Sequence, residues 1–298
     1  MLIPLLARRR VVNTSTTLYT GGDTTIDVDI RVDTTDGVLI FGRRDSNVLT
    51  GWMFGNDATE AYRLGAAFAQ WGDASFEKTV SGLTIGTSGL NMTTAFQWNE
   101  SAYPVEGYVV WSVGGTQADI ISWNGTGGSP SAVSHGLGTT PGAALIYGSD
   151  GTVHFHGGRT SYTYTDGAWV NHGSPVLSYA SGTVTPATGE LFDVSPTLFT
   201  AVLFPAAGSQ VASGEAAGGS AENIGWQPRT LFLLGHTSGE FGAWDSARDG
   251  TGLGDNSGDY STQLQGSSAF DSTSNIQSLN TNGFTPTAGE SYSYIAIR

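Results

Sequence analysis

The stretch that decides the fold is short and occurs twice, as VTPATGE at residues 184–190 and as FTPTAGE at residues 284–290. LTIGTSG at residues 83–89 has a similar Thr and Gly pattern, about one hundred residues before the first of them. Because proline fixes φ and glycine tolerates positive φ, we interpret each copy as a turn that leads into a strand. Recurrence at this spacing predicts a tandem repeat of one structural unit.

Two further patterns occur in the same order around these copies. An apolar run ends in glycine at Gly42, Gly148 and Gly235. An aromatic run then closes each unit, as YVVWSV at residues 108–113, FTAVLFP at 199–205 and YSYIAIR at 292–298. Runs of β-branched and aromatic residues between turn-forming residues predict strands. The three units are each of a size that suits a small β-sandwich.

The composition of the chain indicates an all-β protein. Its 298 residues include 43 glycines but only 13% charged residues, too few for long solvent-facing helices. The formal net charge of −14 argues against binding to nucleic-acid phosphates. The absence of cysteine excludes disulfides and cysteine-based zinc sites. No apolar run is long enough to span a bilayer.

We therefore predict an all-β fold of three tandem antiparallel β-sandwich modules, of jelly-roll or immunoglobulin-like type, with a short N-terminal docking segment. The predicted boundaries are residues 1–12 for the docking segment and 13–114, 115–205 and 206–298 for the modules. Gly-rich stretches at residues 114–117 and 206–220 are interpreted as the joins between modules.

Two longer runs resemble a β module of structural and tail-fibre-like proteins of tailed bacteriophages. They are SHGLGTTPGAALIYG at residues 134–148 and SLNTNGFTPTAGESYSYIAIR at residues 278–298. Trp52 in GWMF and Trp244 in FGAW fit the tryptophan-bearing strand of that module, whereas His154-Phe155-His156 stands at this place in the middle unit. The resemblance extends from about Thr17 onward. It implies an oligomeric virion protein of fibre, spike or decoration type, assembled in the host cytoplasm and then extracellular.

The N-terminal MLIPLLARRR is predicted to be a docking peptide of the mature protein. Its apolar residues precede the arginines, which is the reverse of the order in a secretory signal peptide. Pro4 disfavours a regular helix, so the apolar residues need a partner, which we expect to be a tail, baseplate or capsid protein. A frayed tail or an extra strand of the first module is the alternative. The docking residues are Leu2, Ile3, Leu5, Leu6, Arg8, Arg9 and Arg10.

A glycan-facing or partner-facing edge is predicted around residues 160–170. Tyr162, Tyr164 and Trp169 could stack on sugar rings or anchor an interface, although covering a small core is the alternative for each of them. His154 and His156 alternate along a strand and so share one face, which we assign to the same surface. We predict no metal there because no third ligand has a suitable spacing. DNSGD at residues 255–259 leaves calcium binding open.

These patterns together predict a non-enzymatic virion protein without cofactors. We expect a tail-fibre or spike-type component that adheres to a bacterial surface glycan, contacts other virion proteins and forms a homo-oligomer. A capsid decoration protein and a polysaccharide depolymerase are the alternatives. A depolymerase needs two carboxylates about 5–10 Å apart across a cleft, a separation that the sequence does not define.

Overall fold

The fold is given by a computed structural model. It describes residues 118–298, apart from 150–151, 158–159, 166–167, 173–176, 189–190, 229, 238–240, 246–261 and 264–275. Of residues 1–117 it describes the backbone of eight strands, and it describes backbone alone at 147, 153, 164–165, 168–169, 230, 241–245, 262–263 and 276–277. Within this part of the chain every element is a β-strand, and the strand pairs are antiparallel. The predicted all-β class is confirmed.

The first segment, residues 14–113, contains two sheets. Its large sheet has the order β1-β8-β3-β4-β5, and its small sheet has the order β2-β7-β6. The strands are β1 Thr14–Thr17, β2 Ile26–Val28, β3 Gly37–Arg44, β4 Leu49–Gly55, β5 Ala61–Arg63, β6 Leu83–Gly86, β7 Gly89–Met92 and β8 Val105–Val113.

The second segment, residues 119–205, also contains two sheets, and its strands are β9 Asp119–Asn124, β10 Val133–Ser134, β11 Pro141–Gly148, β12 Val153–Gly157, β13 Thr160–Thr165, β14 Ala168–Asn171, β15 Leu177–Tyr179, β16 Thr183–Pro186 and β17 Leu198–Pro205. Its large sheet has the order β14-β13-β12-β11-β17-β9, and its small sheet has the order β10-β16-β15.

The third segment, residues 211–297, completes the described strands, which are β18 Val211–Ala217, β19 Glu222–Asn223, β20 Thr230–Gly235, β21 Phe241–Asp245, β22 Thr262–Gln263, β23 Ile276–Asn280, β24 Gly283–Pro286 and β25 Ser291–Ile297. Its large sheet has the order β18-β25-β20-β21-β22, and its small sheet has the order β19-β24-β23.

One strand order therefore recurs in the three segments. In each large sheet the first strand pairs with the last strand of the segment, which pairs in turn with the third strand, the one that contains Gly42, Gly148 or Gly235. In each small sheet the central strand is the one that directly precedes the last strand. The aromatic closing runs predicted from the sequence are β8, β17 and β25.

The repeated phrase is a strand followed by a turn, so our interpretation of it as a turn was only partly right. Residues 184–186 lie in β16 and residues 284–286 lie in β24, and Gly289 then adopts a φ of 123° before β25. The copy at residues 83–89 was assigned wrongly. It begins in β6, an edge strand, whereas β7 holds the central position that β16 and β24 hold. Thr and Gly occur in both strands of that hairpin, which explains the error.

The stretch at residues 206–220 was also misinterpreted in part as a join. Residues 211–217 form β18, which pairs along its whole length with β25, from Val211 opposite Ile297 to Ala217 opposite Ser291. Small residues are required here because the strand packs closely on both sides: Ala212 and Ser213 are both buried, on opposite faces of the strand. The connection itself is limited to residues 206–210.

Each of the second and third segments encloses a core between its two sheets. In the second segment, Ile146 of β11 and Phe199 of β17 pack with Val184 of the small sheet. In the third, Leu233 of β20 and Tyr294 of β25 pack with Phe284 of the small sheet. Side chains that alternate along a strand point to opposite faces, so these residues define the inner face of each large sheet.

The outer faces of these two large sheets pack on each other. Leu145 and Phe232 alternate with core residues of β11 and β20, yet both are buried. Strands β11, β12 and β17 contact β18, and β11 also contacts β25. A Cβ at Gly142 would collide with the backbone of β18 at Ser213, and one at Gly157 would collide with the side chain of Ser293. The four sheets therefore form a stack in the order small, large, large, small.

Candidate functional site

Strand β12 carries two histidines into the core of the second segment. The register pairs His154 with Ile146 and His156 with Ala144, and both of these partners belong to the core. His154 is 1% exposed and His156 is fully buried. The predicted sharing of one face is confirmed, but that face is the interior and not the surface.

His154 has polar and aromatic neighbours. Its Nδ1 lies 3.0 Å from the Thr163 hydroxyl, whose oxygen also lies 2.8 Å from Nε2 of His172. The imidazole ring meets the Phe192 ring edge-on at a centroid distance of 4.9 Å. The Thr163 hydroxyl thus links a buried imidazole to His172, which is exposed.

His156 is in a less polar environment. Its ring packs edge-on against Tyr179 at 4.8 Å, and neither ring nitrogen has a hydrogen-bond partner among the described residues. Burial lowers the pKa of His156 from 6.5 to about 4, because the charged imidazolium would lose its hydration. His156 is therefore neutral at pH 7. It acts as a bulky core residue, at the register position that Trp244 holds in the third segment.

The tryptophan match between the first and third segments does not hold in register. Trp244 pairs with Leu231, which precedes Gly235 by four positions, whereas Trp52 pairs with Phe41, which directly precedes Gly42. Trp52 therefore corresponds to Val153 of the second segment and lies three positions away from the place of His156.

A second cluster of titratable groups lies where the second and third segments meet. The rings of Tyr162 and His236 are 5.7 Å apart, and His236 Nε2 lies 3.0 Å from the Ser293 hydroxyl. Asn171 Nδ2 donates to the backbone oxygen of His236 at 3.2 Å. Strands β13, β14 and β25 and the residue after β20 thus bring side chains from both segments together.

The carboxylates of Glu215 and Glu290 lie near this cluster and affect the pKa values of its members. Glu215 accepts a hydrogen bond from the Thr160 hydroxyl at 3.3 Å, and Glu290 accepts one from the Thr237 amide at 2.6 Å. Burial lowers the pKa of His236, and the negative charges of Glu215 and Glu290 oppose this shift. Burial, reinforced by the same two carboxylates, raises the pKa of the Tyr162 phenol. The bonds from Thr160 to Glu215 and from Asn171 to His236 therefore connect the second segment with the third.

The site residues predicted from the sequence do not include His236, Glu215 and Glu290. A signal for Glu290 was present, since a glutamate closes both copies of the repeated phrase, at Glu190 and Glu290. His236 directly follows the glycine that ends β20. Nothing in the sequence indicated that these residues meet Tyr162, because the contact depends on how the two large sheets stack.

The predicted glycan-facing residues have different positions. Tyr162 is buried between the two large sheets, and with His154 and His156 in the core, these three side chains do not form the exposed edge that we expected. Tyr164 and Trp169 are cross-strand partners on β13 and β14. Strand β14 is at the edge of the large sheet, and its Val170 is 45% exposed. The docking residues between Leu2 and Arg10, and DNSGD at residues 255–259, lie outside the described part of the chain.

The described residues contain no group of three or more His, Asp or Glu side chains that could hold a metal ion. They also contain no helix long and apolar enough to cross a membrane. The buried carboxylate of Asp193 has a structural role, because its Oδ1 accepts hydrogen bonds from the amide and the hydroxyl of Thr126, both at 2.7 Å.

Comparison of the chain with protein-family models, with curated proteins and with solved structures gave no match.

Proposed function

We propose that this chain is a non-enzymatic structural protein of a tailed bacteriophage or a phage-like particle. In this proposal three tandem β-sandwich modules, at residues 13–114, 115–205 and 206–298, form a tail-fibre or spike-type component that attaches to a bacterial surface. The N-terminal residues 1–12 dock to another virion protein. The protein is assembled in the host cytoplasm and works on the extracellular particle.

The observation that supports this proposal most is the recurrence of one strand order in three consecutive segments. Tandem β modules are suited to extended scaffolds, because each one adds length while keeping its own core. The stacking of the large sheets of the second and third segments supports a mechanical role, since closely packed sheets resist deformation. The phage-like sequence runs include β11 and β25, which are interior strands of these two sheets.

The described titratable groups favour a structural role over catalysis. His156 is held neutral in an apolar core. The hydroxyls and amides around Asp193, Glu215 and Glu290 bind these carboxylates within the fold. A depolymerase would instead need two carboxylates facing a sugar across an open cleft.

We assign glycan contact to the hairpin of β13 and β14. Tyr164 and Trp169 are directly opposite each other in this hairpin, and the hairpin forms one edge of the large sheet. Paired aromatic residues provide a flat apolar surface of the kind on which sugar rings stack. The proposal for this site therefore rests on two residues rather than on the five predicted from the sequence.

The experiment is binding of the purified, labelled full chain to bacterial cells and to their isolated surface polysaccharide. Trp169→Ala and Tyr164→Ala should each weaken binding at least tenfold, whereas Val170→Ala, on the same strand, should leave it unchanged. Circular dichroism verifies that the variants fold. Equal binding by all three variants would exclude this hairpin as the attachment site.

Electron microscopy of the intact particle then separates the alternatives. Few copies at the tail tip agree with attachment, whereas hundreds of copies on the shell would make the protein a capsid decoration. Release of reducing sugar from the polysaccharide by the purified chain would contradict a non-enzymatic role and make it a depolymerase.

A further inference from the structure

The three large sheets can be aligned residue by residue. The reference point is Gly42 in the third strand of the first segment, with Gly148 of β11 and Gly235 of β20 as its counterparts. Each of these glycines pairs with an aromatic residue of the closing strand: Gly42 with Tyr108, Gly148 with Phe199 and Gly235 with Tyr292. The agreement at all three places supports the alignment.

The residue three positions before this glycine forms, with its cross-strand partners, a row across each large sheet. We call this row the outer row. In the second segment the outer row consists of Ile120, Val202, Leu145, Phe155 and Tyr162. In the third segment it consists of Ser213, Ile295, Phe232, Ala243 and Thr262. In the first segment it consists of Thr14, Trp111, Leu39, Phe54 and Tyr62.

The outer rows of the second and third segments cover each other. Val202, Leu145 and Phe155 are at most 1% exposed, and so are Ile295 and Phe232, although none of the five belongs to the core of its own segment. Equivalent faces of two equivalent sheets are therefore in contact. A face that packs on an equivalent face is self-complementary. A two-fold interface between identical chains requires this property.

The outer row of the first segment has the composition of such an interface. It contains Trp111, Leu39, Phe54 and Tyr62, with no charged residue. The neighbouring row on the same face adds Phe41 with its partners Trp52 and Val109. Aromatic residues are enriched, and charged ones depleted, in the centres of stable protein interfaces. Among the described residues, the outer rows of the second and third segments are buried against each other, so neither of them is available to cover this one.

We propose that the large sheet of the first segment pairs with the same sheet of a second copy of this chain, through the outer row centred on Leu39. The chain is then a dimer in which the two first segments reproduce the contact that the second and third segments make within one chain. This inference rests on the proposed architecture of three equivalent modules and gives it a defined oligomeric state.

The test is the mass of the full chain in solution, measured by sedimentation equilibrium over a range of concentrations. The native chain should be a dimer, and Leu39→Asp and Phe54→Asp should shift it to the monomer, with dimer affinity weakened at least a hundredfold. Val170→Asp, at an exposed position of β14, is the matched control and should remain dimeric. A monomeric native chain, a trimer, or a dimer unaffected by both substitutions would overturn the proposal.

Because the chain has no cysteine, a single introduced thiol gives a second readout that does not depend on charge. Leu39→Cys should form a disulfide-linked dimer under mild oxidation, and Val170→Cys should not. If the aspartate variants unfold, as judged by circular dichroism, this cross-link decides the question, and its absence overturns the proposal. A monomer that still binds cells would refute the dimer alone, whereas a dimer that binds no cells would refute attachment alone.

Discussion

At the scale of single residues, His156 shows what a buried imidazole does to stability. It is fully buried against Tyr179, without a hydrogen-bond partner for its ring nitrogens among the described residues. The folded protein can accommodate the neutral ring but not the charged one, so its pKa falls to about 4. In the unfolded chain the same imidazole titrates near its ordinary value of about 6.5.

The stability of the fold should therefore decrease in mild acid. Between pH 6.5 and pH 4 the unfolded state binds a proton at His156 that the folded state does not, so stability is complete above pH 6.5 and is lost as the pH falls. The loss from this group between pH 7 and pH 5 should be about 2 kcal/mol. Urea denaturation at both pH values measures it. His156→Phe should remove about this much of the pH dependence, and an unchanged pH dependence would contradict the assignment.

A second residue-scale prediction concerns Gly157. A Cβ at this position would collide with the side chain of Ser293 across the contact between the two large sheets. Gly157→Ala should lower the free energy of unfolding by about 1–3 kcal/mol, as overpacking does. Gly182→Ala is the matched control, because open space surrounds Gly182, and it should change stability by less than about 1 kcal/mol. Ser293→Gly should restore part of the loss in the double variant, as chemical denaturation would reveal.

At the scale of elements, the loop that follows β9 is fastened to the loop before β17. The buried carboxylate of Asp193 binds the amide and hydroxyl of Thr126, and Trp123 Nε1 donates to the backbone oxygen of Phe192 at 2.9 Å. The Gly127 amide donates to the backbone oxygen of Asp193. These bonds connect the first and last strands of the segment beyond their ladder.

Removing the Asp193 carboxylate should weaken this connection. Asp193→Ala should lower the free energy of unfolding by about 1–3 kcal/mol, because hydrogen bonds to a charged acceptor are lost. Thr126→Val removes the hydroxyl, which also accepts hydrogen bonds from the amides of Gly128 and Ser129, and should cost about 1 kcal/mol. Thermal unfolding of the two variants gives the comparison, and an Asp193→Ala variant as stable as the native chain would contradict this role of the carboxylate.

The elements that could be predicted from the sequence are those with an internal copy to compare. The closing strands β8, β17 and β25 are rich in aromatic and β-branched residues and were recognised for that reason. Strand β18 has the sequence VASGEAA, which predicts a linker because Ala, Ser and Gly carry no strand signal. Its small side chains are explained by the large sheet of the second segment, which lies against it.

The candidate site was less predictable than the strands. Alternation placed His154 and His156 on one face, but it could not tell the inner face from the outer one, because both faces of β12 are covered. Tyr162 illustrates the same limit, since it is buried by the third segment rather than by its own. Stacking of one sheet on another is a long-range property that a local pattern does not contain.

At the scale of the whole molecule, the contact between the second and third segments predicts that they depend on each other. Phe232, Ile295 and Ile297 are at most 1% exposed, and Ile295 and Phe232 lie in the outer row that the second segment covers. A fragment of residues 206–298 alone should be aggregation-prone, whereas residues 115–298 should be well folded and unfold in one transition. Solubility and calorimetry of the two fragments test this, and two separate transitions in the longer one would contradict it.

The pairing of the first strand of each segment with the last one has a mechanical consequence. Thr14 is opposite Trp111, Asp119 is opposite Leu203 and Val211 is opposite Ile297, so the chain enters and leaves each segment at the same end of its large sheet. A force that pulls these two points apart loads the hydrogen bonds between the first and last strands one after another. It does not load them all at once, as shear would. A segment under tension would open at low force unless a neighbouring sheet clamped its first strand, as β11 and β17 clamp β18.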